Sequence, residues 1–126
     1  MQKIITNCII YSGDKILKDH AIVIENGVIQ SVSIRTETPQ SEELVDLQGL
    51  NISAGFIDMH INGGEQFHFT QSPTEEAIND IYESSLKYGT TEVMPCLITS
   101  SHQNILQGIE AIKKAKSVTQ LNIALF

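Results

Sequence analysis

The sequence predicts an α/β fold in which a β-rich N-terminal segment is followed by alternating strands and helices. The N-terminal part carries β-branched runs separated by turn residues, whereas later apolar residues recur at helical spacing between short strand-like runs. The composition, with 41% apolar and 18% charged residues, is typical of a globular protein. We therefore expect a β-rich segment over residues 1–52 and an α/β segment over residues 53–126.

Four runs rich in β-branched residues are predicted strands of the N-terminal segment: residues 4–11, 21–24, 28–34 and 44–47. Asn26-Gly27 lies between the second and third runs, and because both residues tolerate a positive φ, the pattern predicts a β-hairpin. Residues 36–43, which include Pro39, read as a polar loop. We expect Gly49 to end the fourth strand.

The α/β segment opens with a short strand over residues 55–61 and a helix with marked ends. Ser72 is the expected N-cap, Pro73 takes the first helical position and Glu75 completes the capping pattern. The apolar stripe of this helix repeats at three- and four-residue steps, through Ala77, Ile78, Ile81, Tyr82 and Leu86. Gly89 supplies the left-handed residue that ends it.

A second strand is predicted over residues 91–98, with Pro95 near an end or a bulge because proline donates no ladder hydrogen bond. Ser100 or Ser101 caps the next helix. Its predicted core stripe consists of Ile105, Leu106, Ile109 and Ile112. Residues 121–126 begin a third strand. This alternation predicts right-handed βαβ units and a parallel sheet, but 126 residues are too few for an eight-stranded α/β barrel of about 250 residues.

Composition excludes several classes of partner. With 8 Lys and Arg against 15 Asp and Glu, the net charge of −7 disfavours nucleic acid. No apolar run is long enough to span a membrane, and the N-terminus lacks the features of a signal peptide, so we expect a cytoplasmic protein. Cys8 and Cys96 have no C-x-x-C spacing and are expected to be reduced, buried thiols.

The chemically informative stretch is the strand of residues 55–61 and the residues that follow it. Strand alternation places Asp58, His60 and Asn62 on one face, opposite the apolar side chains of Ile57, Met59 and Ile61. Gly63 and Gly64 then allow the backbone to turn sharply or to approach a ligand closely. Polar residues at the C-terminal end of a strand are where α/β barrels carry their sites.

The motif Gly55-Phe56-Ile57-Asp58-x-His60-x-Asn62-Gly63-Gly64 resembles the opening of N-acetylglucosamine-6-phosphate deacetylases in the amidohydrolase superfamily. Gly89-Thr90-Thr91, Pro95 and Ile98-Thr99 extend this resemblance over nearly the whole chain. The resemblance implies the first part of a metal-dependent TIM-type barrel, beside a composite β-sandwich assembled from both ends of a longer chain. It also implies hydrolysis of the acetamide of a phosphorylated N-acetyl amino sugar.

The resemblance further assigns site residues. It makes His60 a ligand of a divalent metal, zinc or iron, and Asn62, Gly63 and Gly64 substrate-binding residues. A histidine that only hydrogen-bonds within the barrel mouth is the alternative for His60. Asp58 is expected either to support the site residues around it or to be structural. The family's catalytic aspartate and remaining ligands have no counterpart here, so we expect no catalytic residue in this chain and no activity from it alone.

One departure from the superfamily is informative. Many amidohydrolases carry His-x-His where this chain has His60 and Asn62, and a neutral amide is a poorer ligand than imidazole for zinc or iron. A second metal at this end is therefore not expected. Two other functions stay open: a different amidohydrolase, such as a cyclic amidase or deaminase, and a non-catalytic scaffold that oligomerises through unpaired strand edges. A homo-oligomer is expected in either case.

Overall fold

The computed structural model describes residues 2–40 and 43–118. The chain divides into two compact units, Met1–Ala54 and Gly55–Phe126. The boundary predicted at residue 52 lies inside the last strand of the first unit. None of the helices in the described part of the chain is long and apolar enough to cross a membrane.

The first unit is a five-stranded sheet. Its strands are β1 (Gln2–Ser12), β2 (Lys15–Leu17), β3 (His20–Glu25), β4 (Val28–Ile34) and β5 (Glu43–Ser53). Strand β1 pairs antiparallel with β2 and β3 and parallel with β5, while β4 extends the sheet beyond β3. A short 3-10 helix, Arg35–Glu37, follows β4 and overlaps the start of the segment predicted as a loop.

The predicted hairpin is confirmed. Strands β3 and β4 pair antiparallel from Glu25↔Val28 to His20↔Ile34. Asn26 and Gly27 between them have φ values of 52° and 80°, as a type I′ turn requires. The turn residues therefore set the register of the adjacent pairs, and a shift between Val23 and Ile24 changes the register of the remaining pairs.

The prediction that Gly49 ends the fourth strand is wrong, because β5 continues to Ser53. Gln48 and Gly49 have φ values of 53° and 84°, and Asn7 on the paired strand β1 has a φ of 53°. The pairing of β1 with β5 shifts register between Thr6 and Cys8. The left-handed residues thus form a bulge within a long parallel ladder and do not terminate it.

The bulge also divides the apolar core of the sheet. Ile4 packs with Ala21 and Val23, whereas Cys8 and Ile10 pack in a second cluster with Ile22. In an uninterrupted strand, positions 4, 8 and 10 would share one face. The left-handed Asn7 interrupts the alternation of side chains along β1, so the strand contributes to both clusters.

The second unit alternates strand and helix. Its elements are β6 (Phe56–Ile61), α1 (Glu75–Leu86), β7 (Thr90–Pro95) and α2 (His102–Val118). Strands β6 and β7 pair in parallel, as predicted, with α1 as the crossover. The second strand is shorter than predicted and ends at Pro95, where a missing N–H is tolerated. The third strand predicted over residues 121–126 lies outside the described residues.

Helix α1 begins two residues later than the predicted cap. Thr74, not Ser72, is the N-cap, and its side chain accepts a hydrogen bond from the backbone N–H of Ala77. Three predicted stripe residues, Ala77, Ile78 and Ile81, are fully buried, and Tyr82 packs against the same core. Leu86 is 38% exposed, so the stripe does not reach the last turn. Gly89 adopts the expected left-handed conformation, with φ 85°.

Helix α2 buries a different face from the predicted one. Ser101 accepts a hydrogen bond from the N–H of Asn104, as a cap does. Within residues 102–115 of this helix, the buried residues are Gly108, Ala111 and Ala115, whereas the predicted core residues Ile105, Leu106 and Ile109 are 40%, 50% and 44% exposed. Only Ile112 of the predicted stripe packs against the core. Small residues let the helix approach Phe69 and Leu97 closely, since a Cβ at Gly108 would lie 2.6 Å from Leu97 Cδ1.

Candidate functional site

The predicted site residues lie at the C-terminal end of β6, where the strand is irregular. Asp58 lies level with Val93 of β7, and Ile61 lies level with Pro95. Three steps along β6 therefore match two steps along β7, as in a β-bulge. Because a bulge shifts the alternation of side chains, spacing alone no longer places Asp58 on the same face as Asn62. The alternation argument for one shared polar face does not hold through this part of β6.

Asp58 is used within the strand itself. Its Oδ1 accepts a hydrogen bond of 3.0 Å from the backbone N–H of His60. The His60 side chain is exposed, and so are Ile57 and Met59, at 60% and 58%. His60 is therefore accessible to a ligand, and Asp58 accepts a backbone hydrogen bond within its own strand.

Asn62 joins the C-terminal ends of the two parallel strands. Its Nδ2 donates a 2.8 Å hydrogen bond to the carbonyl of Cys96, and the N–H of Cys96 donates to the carbonyl of Ile61 at 2.8 Å. Among the residues that the structure describes, its Oδ1 has no hydrogen-bond partner. An amide whose nitrogen is fixed in this way can present its oxygen to a hydroxyl or N–H of a ligand.

Gly63 and Gly64 open a tight loop that returns to the strand end. Gly63 forms an antiparallel bridge with His68, and the N–H of Gly64 donates to the carbonyl of Phe67 at 2.9 Å. A Cβ at Gly63 would lie 2.8 Å from the Phe67 carbonyl oxygen. A Cβ at Gly64 would lie 2.8 Å from the carbonyl carbon of Asp80 in α1. Both glycines are therefore required by the close packing of the protein's own backbone.

Helix α1 holds this loop at two points that sequence reasoning did not identify. The Oδ2 of Asp80 accepts hydrogen bonds from the N–H groups of both Gln66 and Phe67, each 2.9 Å long. Near the end of the helix, Lys87 Nζ lies 2.8 Å from Glu65 Oε2, and this hydrogen bond and the charge of Glu65 raise the pKa of Lys87. Neither contact could be predicted from neighbouring residues in the sequence, because the partners are 13 to 22 residues apart.

The loops that follow the two strands are also joined. Thr70 Oγ1 accepts from the N–H of Ile98 at 3.0 Å, and the Thr70 carbonyl accepts from Asn104 Nδ2 at 3.1 Å. Beside this link, the Nδ1 of His68 is buried and has no hydrogen-bond partner in the described part of the chain.

The residues present do not fit a complete metal site. Across residues 2–40 and 43–118, no group of three or more His, Cys, Asp or Glu side chains could hold a metal ion. His60 is a single imidazole, and protein zinc sites use three or four ligands. Cys8 and Cys96 are free thiols in different units, and burial raises the pKa of Cys8.

Comparisons with known proteins agree with the motif. The family model described as the NagA composite domain matches residues 4–52. The chain is 32% identical to N-acetylglucosamine-6-phosphate deacetylase of Haemophilus influenzae over 114 residues, which are 90% of this chain and 30% of that protein. It is 36% identical to a dihydroorotase of Geobacillus over 59 residues, which are 44% of this chain and 14% of that protein.

A solved structure matches the fold along the whole chain. The N-acetylglucosamine-6-phosphate deacetylase from Pasteurella multocida superposes with a TM-score of 0.87 at 27% identity, covering 99% of this chain and 33% of the other. The chain thus spans about a third of the length of the proteins it matches. By sequence and by fold, this chain is similar to about a third of the length of the N-acetylglucosamine-6-phosphate deacetylases, and residues 4–52 match the family model of their composite domain.

Proposed function

We propose that this chain is the N-terminal portion of a deacetylase that hydrolyses the acetamide of a phosphorylated N-acetyl amino sugar. The observation that carries this proposal is the match to the Pasteurella multocida deacetylase, with a TM-score of 0.87 over 99% of the chain. The 32% identity to the Haemophilus influenzae enzyme over 90% of the chain supports the same substrate class.

The proposed architecture follows from the two units. Strands β6 and β7, with α1 between them and α2 after them, form the opening of a TIM-type barrel. The five-stranded sheet of β1 to β5 forms part of a composite β-sandwich, which agrees with the family match over residues 4–52. The remaining barrel strands belong to a longer protein, which we refer to as the parent.

The end of β6 supplies the proposed binding residues. Asn62 presents its amide oxygen to the sugar or its acetamide. Gly63 and Gly64 are proposed to contact the substrate through the loop backbone that their close packing holds beside Asn62. His60, which is exposed, serves as one ligand of a divalent metal, zinc or iron, in the parent. The other ligands and the catalytic acid–base group come from outside the described residues.

The chain alone is proposed to be inactive, because its described residues offer no set of three metal ligands. The parent is proposed to act in the cytoplasm as a homo-oligomer. No nucleic acid is expected among its partners, since the net charge of this chain is −7.

The test compares the parent with the 126-residue chain. We expect the parent to release acetate from N-acetylglucosamine-6-phosphate, and the chain alone to release none. His60→Ala in the parent should lower bound zinc and iron, measured by mass spectrometry of the protein, while His102→Ala serves as the matched control on an exposed histidine. Acetate release by the chain alone would refute the proposed location of the missing groups.

A cyclic amidase is the second candidate, because of the 36% identity to a dihydroorotase over 59 residues. The same parent would then hydrolyse a cyclic amide such as dihydroorotate and leave the sugar phosphate intact. A parent that hydrolyses neither substrate, but forms a discrete oligomer, would point to the non-catalytic scaffold.

A further inference from the structure

We propose that Asp80 of α1 is a positioning residue that fixes the loop after β6, residues 63–69, for substrate binding. The inference rests on the proposed function, because it takes Asn62, Gly63 and Gly64 as substrate contacts. Asp80 itself belongs to none of the predicted site residues and need not touch the substrate.

The geometry of the contact is specific. One carboxylate oxygen of Asp80 accepts hydrogen bonds from two successive backbone N–H groups, those of Gln66 and Phe67, at 2.9 Å each. Hydrogen bonds to a charged acceptor are stronger than neutral ones. Two donors from adjacent residues also fix the direction of the loop backbone, which a single hydrogen bond would leave free to pivot.

The helix that carries Asp80 is itself well anchored. Ala77 and Ile81, on either side of Asp80 in sequence, are fully buried, and Ser84 on the next turn is buried as well. Gly64 permits the close approach, since a Cβ there would overlap the Asp80 carboxylate. Asp80 therefore anchors the loop to a helix that packs in the core of the second unit.

The other tether between helix and loop is weaker. Lys87 and Glu65 form an ion pair whose side chains are 56% and 49% exposed. Exposed pairs of this kind contribute little to stability because solvent screens them. Loss of the Asp80 carboxylate should therefore let residues 64–67 move relative to Asn62, and substrate binding at the strand end should weaken.

The variants separate an anchoring role from a general structural one. Asp80→Asn keeps an oxygen that can take the place of Oδ2 and accept both N–H groups, whereas Asp80→Leu has a similar size and no acceptor. Glu83→Gln, on the exposed side of the same helix, is the matched control. In the parent we expect Asp80→Leu to raise KM for N-acetylglucosamine-6-phosphate about 10-fold or more, with a smaller change in kcat. Asp80→Asn should recover most of this loss, and Glu83→Gln should leave KM unchanged.

A second measurement reads the loop directly. In the 126-residue chain, hydrogen exchange at the Gln66 and Phe67 amides should become faster in Asp80→Leu, and remain slow in Asp80→Asn and Glu83→Gln. Unchanged exchange in Asp80→Leu, or an unchanged KM in an active parent, overturns the inference alone. A wild-type parent that does not deacetylate the sugar phosphate refutes the proposed function, and with it the role of the loop in binding that substrate.

Discussion

Gly64 and Gly108 both lie where a Cβ has no room, but their neighbours differ in how far they can move. The Cβ of an alanine at position 64 would meet the backbone of Asp80 at 2.8 Å, in addition to its carboxylate. At position 108 it would meet the end of the Leu97 side chain at 2.6 Å. A side chain can rotate away, whereas the backbone of a buried helix cannot.

We therefore expect Gly64→Ala to lower the free energy of unfolding by about 1–3 kcal/mol. Gly108→Ala should stay within about 1 kcal/mol of wild type, because alanine favours the helix and offsets the displacement of Leu97. Urea denaturation followed by circular dichroism measures both. Equal losses in the two variants would contradict the distinction between backbone and side-chain neighbours.

Asp46 in β5 links the two halves of the bulge in the first unit. Its Oδ1 accepts from the N–H of Gln48 at 2.8 Å and from Asn7 Nδ2 at 2.7 Å. These two hydrogen bonds, with a smaller effect of Arg35, lower the pKa of Asp46. A depressed folded-state pKa stabilises the fold above the unfolded value of about 3.9, and this contribution is lost as pH falls through the folded pKa.

Asn7→Gly should raise the pKa of Asp46, because it removes one hydrogen bond while glycine keeps the positive φ of 53°. The decrease in the free energy of unfolding as the pH falls below about 4 should become smaller. An NMR titration of the Asp46 carboxyl carbon measures the shift. Asn26→Gly, at another left-handed asparagine with φ 52°, is the control and should leave that titration unchanged. An Asp46 titration unaffected by Asn7→Gly would show that Asn7 contributes nothing to it.

The features that could be predicted from the sequence are those formed by residues that are neighbours in the chain. Asn26 and Gly27 are adjacent, so their turn could be predicted from the sequence alone. The motif containing His60, Asn62 and the two glycines is contiguous, so the resemblance to the deacetylases could be recognised in the same way. Asp80 could not, because its partners are 13 and 14 residues away and a polar residue on a helix has many possible roles. The bulge in β6 was missed because nothing in its composition differs from a regular strand.

Helix α1 has two candidate N-cap residues, Ser72 and Thr74, and the structure uses Thr74. The sequence pattern favoured Ser72, but the hydrogen bond to a first-turn N–H comes from Thr74 Oγ1, which accepts from Ala77 at 3.3 Å. Thr74 has the extended conformation of an N-cap, with φ −123° and ψ 163°. Pro73 therefore precedes the cap, where its missing N–H has no helical role.

Thr74→Ala should lower the free energy of unfolding by about 1 kcal/mol, because it leaves a first-turn N–H without its acceptor. Ser72→Ala should change it by less than about 0.5 kcal/mol. Thermal or urea denaturation of the two single variants gives the comparison. If Ser72→Ala were the more destabilising of the two, the helix would begin where the sequence pattern placed it.

Element types were predicted well and buried faces less well, and α2 shows why. Periodicity correctly identified a helix, yet large residues such as Ile105 and Leu106 are exposed and Gly108 and Ala111 are buried. A sequence reports which residues are apolar but not which neighbouring element each face meets. The small face of α2 is buried because Phe69 and Leu97 lie against it, and these contacts depend on loops whose conformations were not predicted.

At the scale of the whole molecule, a net charge of −7 coexists with large exposed apolar side chains. Phe56 and Ile57 of β6 are 67% and 60% exposed, and Ile109 of α2 is 44% exposed. Apolar residues that repeat on exposed faces favour association, whereas like net charge opposes it. In a protein about three times as long, such faces can be covered by further chain; in this chain they are open to a second copy.

We expect the 126-residue chain to self-associate reversibly, and to do so more strongly as salt is raised, because salt screens the repulsion between chains of charge −7. The double variant Ile57→Lys and Ile109→Lys should weaken association about 10-fold, since it places charge in apolar contacts. Gln107→Lys, at an exposed polar position on α2, adds one positive charge without removing apolar surface; because it lowers the net negative charge, it should not weaken association. Analytical ultracentrifugation across a series of concentrations and salt levels measures the dissociation constants. A chain that stays monomeric throughout would show that charge repulsion outweighs the attraction between its exposed apolar faces. The proposed homo-oligomer would then have to form through other parts of the parent.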